Sequence, residues 1–186
     1  MVGLVSLAVV VILAIMILSW LISGYNKGIQ LKNYVTEAFS TMDVYMKKRW
    51  DLVPNLLETT KGYAGHEKGV FEEITKLRNQ NYTGLSDDQK IDINNQMTAA
   101  LSKLVAVAES YPDLKADANF RQFSDELSGI EQEIANSRRY YNGCVREYTN
   151  FLELFPTNLI AVIFRFAKYK LFEINENERE NVQVKF

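Results

Sequence analysis

His66 and Glu67, in the run KGYAGHEKG, begin like the metal-binding face of a helical zinc peptidase. That chemistry needs a second histidine one helical turn on, and Val70 stands there. A zinc site takes three or four nitrogen, sulfur or oxygen ligands, and the chain holds 1 His and 1 Cys. His66 therefore reads as a surface or capping histidine beside a helix irregularity. Cys144 lies between Gly143 and Val145 with no histidine or lysine cluster to activate it, and reads as a packed thiol. Glu72-Glu73, Asp87-Asp88 and Glu131 with Glu133 fall on solvated helix faces. General acid–base work needs a carboxyl in a perturbing environment, and nothing in these spacings supplies one. No glycine-rich loop follows a strand, so no nucleotide signature is present. The expectation is a chain with no catalytic residue, no cofactor and no metal.

A second polar group is more informative: it lies in the helix faces, and two of its members, Arg49 and Asp43, occupy apolar rows. Asp43, Arg49, Asp51 and Asn55 lie on one helix-patterned stretch, and Glu131, Arg138, Arg139 and Asn142 on another. Charges inside a bundle persist when paired and hydrogen-bonded. The eight residues read either as an interhelical network that fixes register or as a partner-binding or oligomer surface. Within that network Arg49 or Asp43 is expected to pair with Glu131, Arg138 or Arg139.

The elements that must position these residues are helical. Val2 to Ser23 carries no charge in 22 residues. As a helix it is about 33 Å long, enough for the hydrocarbon core of a bilayer. Trp20 and Tyr25 sit at its C-terminal end, at the level aromatic rings prefer. A cleaved signal peptide would need a basic start and a shorter apolar run, so the segment reads as a retained transmembrane anchor. Beyond it, Leu31, Val35, Ala38, Met42, Tyr45, Arg49, Leu52 and Leu56 form one helical row, beside Phe39, Asp43, Met46, Trp50, Val53 and Leu57. The pattern runs past Pro54, which predicts a kink rather than an end. Gly62, Gly65 and Gly69 make the weakest helical stretch, a break or a close-packing site. Val70, Phe71, Ile74 and Leu77 resume the stripe. Ser86 with Gln89 is a capping-box pattern, opening a helix through Ile93, Met97, Ala100, Leu104 and Val107. Tyr111-Pro112-Asp113 predicts a turn. The last long helix carries Phe120, Phe123, Leu127, Ile130, Ile134, Ser137, Tyr141, Val145, Tyr148, Leu152 and Phe155 on one seam, up to Pro156. Residues 24–61 and 118–155 are equally long, which suggests antiparallel packing.

Composition agrees with this reading. Apolar residues make up 47% of 186, with 9 Gly and 3 Pro, too few for a turn-rich β-sandwich. One cysteine excludes a disulfide framework. A net charge of −2 gives no basic field for nucleic acid. Charge is segregated along the chain: residues 24–61 are net basic, 62–164 net acidic, and Arg165, Lys168 and Lys170 basic again.

Several runs are those of a known family. GYN follows the apolar segment, then AFSTMDVYMKKRWDLVPNLLETTKGYAGHE; later come YPDLKADANF, ELSGIEQEIANSRRYYNGCV and FPTN. Over nearly the whole chain after residue 24 the sequence resembles the LemA family of bacterial membrane proteins. The resemblance implies an all-helical bundle on an N-terminal membrane anchor and no enzyme activity. Some members are lipoproteins with a cysteine just before GYN; Ser23-Gly24 stands there in this chain. Such members lie outside the cytoplasmic face. Members also occur near membrane metallopeptidases of the HtpX type, and one branch belongs to magnetosome membranes.

The expected fold is all-α: an anchor over 1–24, an antiparallel bundle of long helices over 25–157, a short amphipathic helix over 158–172 and a flexible tail over 173–186. Asn158 is the expected N-cap of the short helix, whose apolar face caps the bundle end, lies in the membrane interface or joins a neighbouring copy. Val182, Val184 and Phe186 alternate like a strand that could add to a partner's sheet edge. The expected role is a non-enzymatic scaffold or interaction protein, with a regulatory subunit or presented substrate of a membrane metallopeptidase as the alternative. The expected partners are the lipid bilayer, a second copy of the chain, and such a peptidase, and no nucleic acid. Lys27 and Lys32 after the anchor, against the α-amino group before it, favour a cytoplasmic body by the positive-inside rule; an extracytoplasmic body is the alternative.

Overall fold

The structure is a computed structural model that describes residues 1–62 and 68–173. His66, Gly65, the acidic stretch from Ile174 and the alternating Val182, Val184 and Phe186 lie outside the described residues. Every regular element among the described residues is helical: α1 (Val2–Lys61), α2 (Lys68–Arg78), a 3-10 turn (Tyr82–Gly84), α3 (Asp87–Glu109), α4 (Pro112–Ala116), α5 (Ala118–Glu153) and α6 (Thr157–Ile163).

Anchor and first body helix are one helix of 60 residues, unbroken at Pro54. α3 opens on the capping box read from its sequence: Ser86 Oγ accepts from Gln89 N–H, and Gln89 Oε1 accepts from Ser86 N–H at 2.9 Å. The expected turn at Tyr111-Pro112-Asp113 is the start of a one-turn helix. Pro112 takes its first position, where a missing N–H costs nothing. Asp117 then caps α5, its Oδ1 accepting from Phe120 N–H at 2.9 Å.

Packing divides the chain into two compact units, one of Met1–Ala38 with Tyr140–Leu171 and one of Phe39–Arg139 with Phe172 and Glu173. Both long helices, α1 and α5, contribute to each unit. In the first unit, Leu31, Val35 and Ala38 of α1 are buried with Tyr141, Val145, Tyr148 and Phe151 of α5. In the second, Met42, Met46, Trp50, Val53 and Leu57 of α1 are buried with Ile74 and Leu77 of α2, Ile91, Met97 and Leu104 of α3, and Leu127 and Ile134 of α5. Both helical rows of α1 are thus core rows. Burying each such side chain stabilises by roughly 1.5–3 kcal/mol.

The short C-terminal helix is shorter than its stripe. It ends at Ile163 rather than Phe172. Arg165 takes a left-handed φ of 53°; its N–H donates to Val162 C=O at 3.2 Å, and Phe166 N–H to Ala161 C=O at 3.0 Å. These are the two bonds of a Schellman termination. The residues beyond it satisfy α5 instead: Tyr148 Oη donates to Ala167 C=O at 3.0 Å and Tyr141 Oη to Lys170 C=O at 2.8 Å. Asn158 is not the cap. Pro156 holds the N-cap position, and Asn158 Oδ1 is buried without a hydrogen-bond partner.

Candidate functional site

Arg49 sits in the apolar row of α1 and is 2% exposed. A guanidinium there must spend its donors on protein acceptors, since desolvating an unpaired charge costs several kcal/mol. Nη1 donates to Glu131 Oε1 at 2.6 Å and to Thr98 Oγ1 at 2.7 Å; Nη2 donates to Asn94 C=O at 2.9 Å and also to Asn94 Oδ1. The fork of one arginine therefore ties α1 to α3 and α5. Glu131 is 34% exposed on its side chain, so the node is sealed on the arginine side and open at the carboxylate.

Asp43, the other charge in an apolar row, does not reach α5. It pairs with Lys90 of α3, Nζ to Oδ2 at 2.6 Å, and accepts from Tyr82 Oη at 2.6 Å. The reason is its place one row aside, facing the 3-10 turn and the start of α3. Tyr82 packs on Trp50 with ring centroids 5.0 Å apart, and the Arg78 guanidinium lies 5.8 Å from the Trp50 ring. Burial first, then the Asp43 hydrogen bond and charge, push the Tyr82 phenol far above its ordinary range.

The remaining expected site residues do not join these nodes. Asp51 pairs with Lys47 one turn back on the exposed face of α1. Asp51 and Asn55 line a shallow groove with Lys48, Phe123, Glu126 and Ile130. Arg138 does not pair with Arg49 or Asp43; it stacks over Phe172 at 5.4 Å. Arg139 donates to Asn136 on its own helix. Asn142 is half-buried in the other unit. The residues that complete the two nodes, Asn94, Thr98, Lys90 and Tyr82, were not among the eight. Their signal was faint: Asn94 and Thr98 flank the apolar stripe of α3 at a spacing of four without interrupting it.

Cys144 is a half-buried free thiol. One turn before it, the Tyr140 phenol is raised chiefly by the charge and hydrogen bond of that thiol. No group of three or more His, Cys, Asp or Glu side chains among the described residues could hold a metal ion. Among the described residues, the two nodes tie α1 to α3 and α5 through Arg49, and α1 to α3 and the 3-10 turn through Asp43.

The sequence is similar to those of known proteins. The family model described as the LemA family matches residues 38–186. The chain is 27% identical over 160 residues to Protein LemA of Metamycoplasma hominis, across 86% of this chain and 73% of that protein. It is 19% identical over 192 residues to magnetosome protein MamQ of Magnetospirillum gryphiswaldense, across 89% and 71%. It is 22% identical over 195 residues to magnetosome protein MamQ 2 of Paramagnetospirillum magneticum, across 90% and 72%.

Proposed function

This chain belongs to the LemA family, and we propose that it works as a non-enzymatic, membrane-anchored helical scaffold at a bacterial membrane. The observation that carries the reading is the contrast within α1. Residues 1–20 are exposed throughout, and the helix is long and apolar enough to cross a membrane. In the same helix, the one fully buried charge, Arg49, has both terminal guanidinium nitrogens matched inside the fold. A bare apolar end calls for a lipid solvent, and a buried arginine spent on interhelical packing supports a body that presents surface rather than chemistry.

The test is recovery of the tagged full-length chain in mild detergent. A scaffold recovers further copies of itself. Recovery of a membrane metallopeptidase in fixed ratio instead, with the chain otherwise monomeric, would replace the scaffold by a regulatory subunit or presented substrate. Replacing Cys144 by alanine should leave cellular function intact, and loss of function in that variant with folding unchanged would overturn the non-enzymatic reading.

A further inference from the structure

The turn from α5 into α6 exposes apolar side chains that the fold does not cover. Leu154, Phe155, Leu159, Val162, Ile163 and Phe164 are all exposed, Phe155 at 80% and Val162 at 76%. Within α6 the division is by face. Ile160 and Ala161 are buried, while Leu159, Val162 and Ile163, at spacings of three and four, make an outward stripe. A contiguous apolar patch of this kind on a soluble surface marks an interaction site.

Its position says what covers it. Ile160 lies against α1 at Gly24, where a Cβ would fall 1.9 Å from Ile160 Cδ1. Gly24 directly follows the apolar run Val2–Ser23 and lies three residues before Lys27, the first charge of α1. Phe164 packs on Tyr25 with ring centroids 4.7 Å apart, and Phe166 meets α1 at Gly28. The outward stripe is thus held at the end of the membrane-spanning stretch, in the same compact unit. Arg165, the residue that ends the helix, is exposed beside it, the flank that anionic headgroups attract. Seven residues are too few to cross a bilayer, which takes about 20, so any contact of α6 with lipid is at the interface.

We propose that the α5–α6 turn, with Phe155, Leu159, Val162 and Ile163, inserts into the headgroup–acyl boundary of the bilayer that α1 spans, as a second, monotopic membrane contact that fixes the angle of the first unit against the lipid surface. It rests on the reading of α1 as a membrane span, so the test carries a separate probe for that reading. Because α1 alone retains the chain in lipid, membrane binding cannot be the readout; depth must be.

In a Cys144→Ser background, single cysteines replace Ile12, Phe155, Val162 or Glu147 in the full-length chain, each labelled with an environment-sensitive fluorophore. The chain is reconstituted in vesicles of phosphatidylethanolamine and phosphatidylglycerol, with or without bromine on the acyl chains, and with iodide in the buffer. Loss of fluorescence to brominated lipid at 12, 155 and 162, with 147 quenched by iodide alone, is the expected result. Quenching at 12 while 155 and 162 respond to iodide alone overturns the proposal and leaves the span standing. Shielding of 155 and 162 from both quenchers means that a second copy of the chain covers the turn, and also overturns it. No lipid quenching at 12 defeats the span, and the proposal with it.

Discussion

At the residue scale the fold depends on two buried polar nodes of different kinds. Arg49 presents a planar fork to four acceptors on two helices, a geometry lysine's point charge cannot reproduce. Arg49→Ala should cost about 3–5 kcal/mol, because it leaves buried acceptors and half a pair behind. Arg49→Lys should fall between it and the parent, and Lys103→Ala, which breaks an exposed pair with Glu73, should cost under about 1 kcal/mol. Urea unfolding of the three variants checks the order; equal, small losses would mean that the node is solvated. The Tyr82 node adds a pH signature. Its folded pKa lies above the unfolded value of about 10. The stability it contributes is therefore fully present below pH ~10 and is lost as pH rises past that value toward the folded pKa. Tyr82→Phe removes the bond to Asp43 and should lower stability at neutral pH by about 1–3 kcal/mol, while flattening the alkaline decline of the parent. Ultraviolet titration alongside denaturation reads both effects, and an unchanged alkaline slope would show that Tyr82 ionises freely.

At the element scale the helices were largely legible, and the places where they were not have physical causes. Both rows of α1 and most of the α5 seam are buried because helical periodicity and core burial are the same pattern. Arg49 was legible because it interrupts a row; Asn94 and Thr98 were not, since a polar residue beside a row looks like any solvated position until its partner is in place. The length of α6 was misread because the stripe beyond Ile163 stays apolar. Its termination depends on Arg165 adopting a left-handed conformation that costs roughly 1–2 kcal/mol for a non-glycine residue. Packing offsets that cost: Phe166 meets Tyr148 and Phe151 edge-on at 6.3 and 5.9 Å, and fits only because Gly28 has no side chain. A Cβ at Gly28 would lie 2.7 Å from Phe166 and 2.8 Å from Phe151. Glycine to alanine within a helix ordinarily gains up to about 1 kcal/mol, but overpacking a core costs about 1–3 kcal/mol, and two rigid rings leave the loss in charge. Gly28→Ala should therefore lower the melting temperature. Gly143→Ala, in the same unit with nothing within 4 Å of its Cβ, should raise it slightly. Melting of the purified chain in detergent ranks the pair, and a gain in both would show that the rings do not close on α1.

At the scale of the whole molecule, the family was readable from long sequence motifs, but the division into two units was not. Two of the three boundaries fall between Ala38 and Phe39 and between Arg139 and Tyr140, inside α1 and α5, with no glycine or proline to mark them. Charge, by contrast, is a global property that sequence reports directly, and it bears on topology. Lys27 and Lys32 follow the apolar run closely. Arg165 and Lys168, distant in sequence, belong to the same compact unit as those lysines. Insertion follows lysines and arginines close to the span, and Lys27 and Lys32 therefore predict a cytoplasmic body. With the body in the cytoplasm, the later cations would meet an anionic leaflet, where each contributes about 1 kcal/mol. Lys168 contributes less, because it is already paired with Glu153 at 2.6 Å. The expected arrangement is the N-terminus outside and the body in the cytoplasm. A reporter active only in the cytoplasm, fused after Phe186, should be active, and one active only outside should be silent. Replacing Lys27 and Lys32 by glutamine should lower the first signal and admit some of the second, since it removes the nearest cations while leaving the apolar run intact. A silent cytoplasmic reporter on the parent chain, with an active external one, would place the body outside, as in the lipoprotein members of the family.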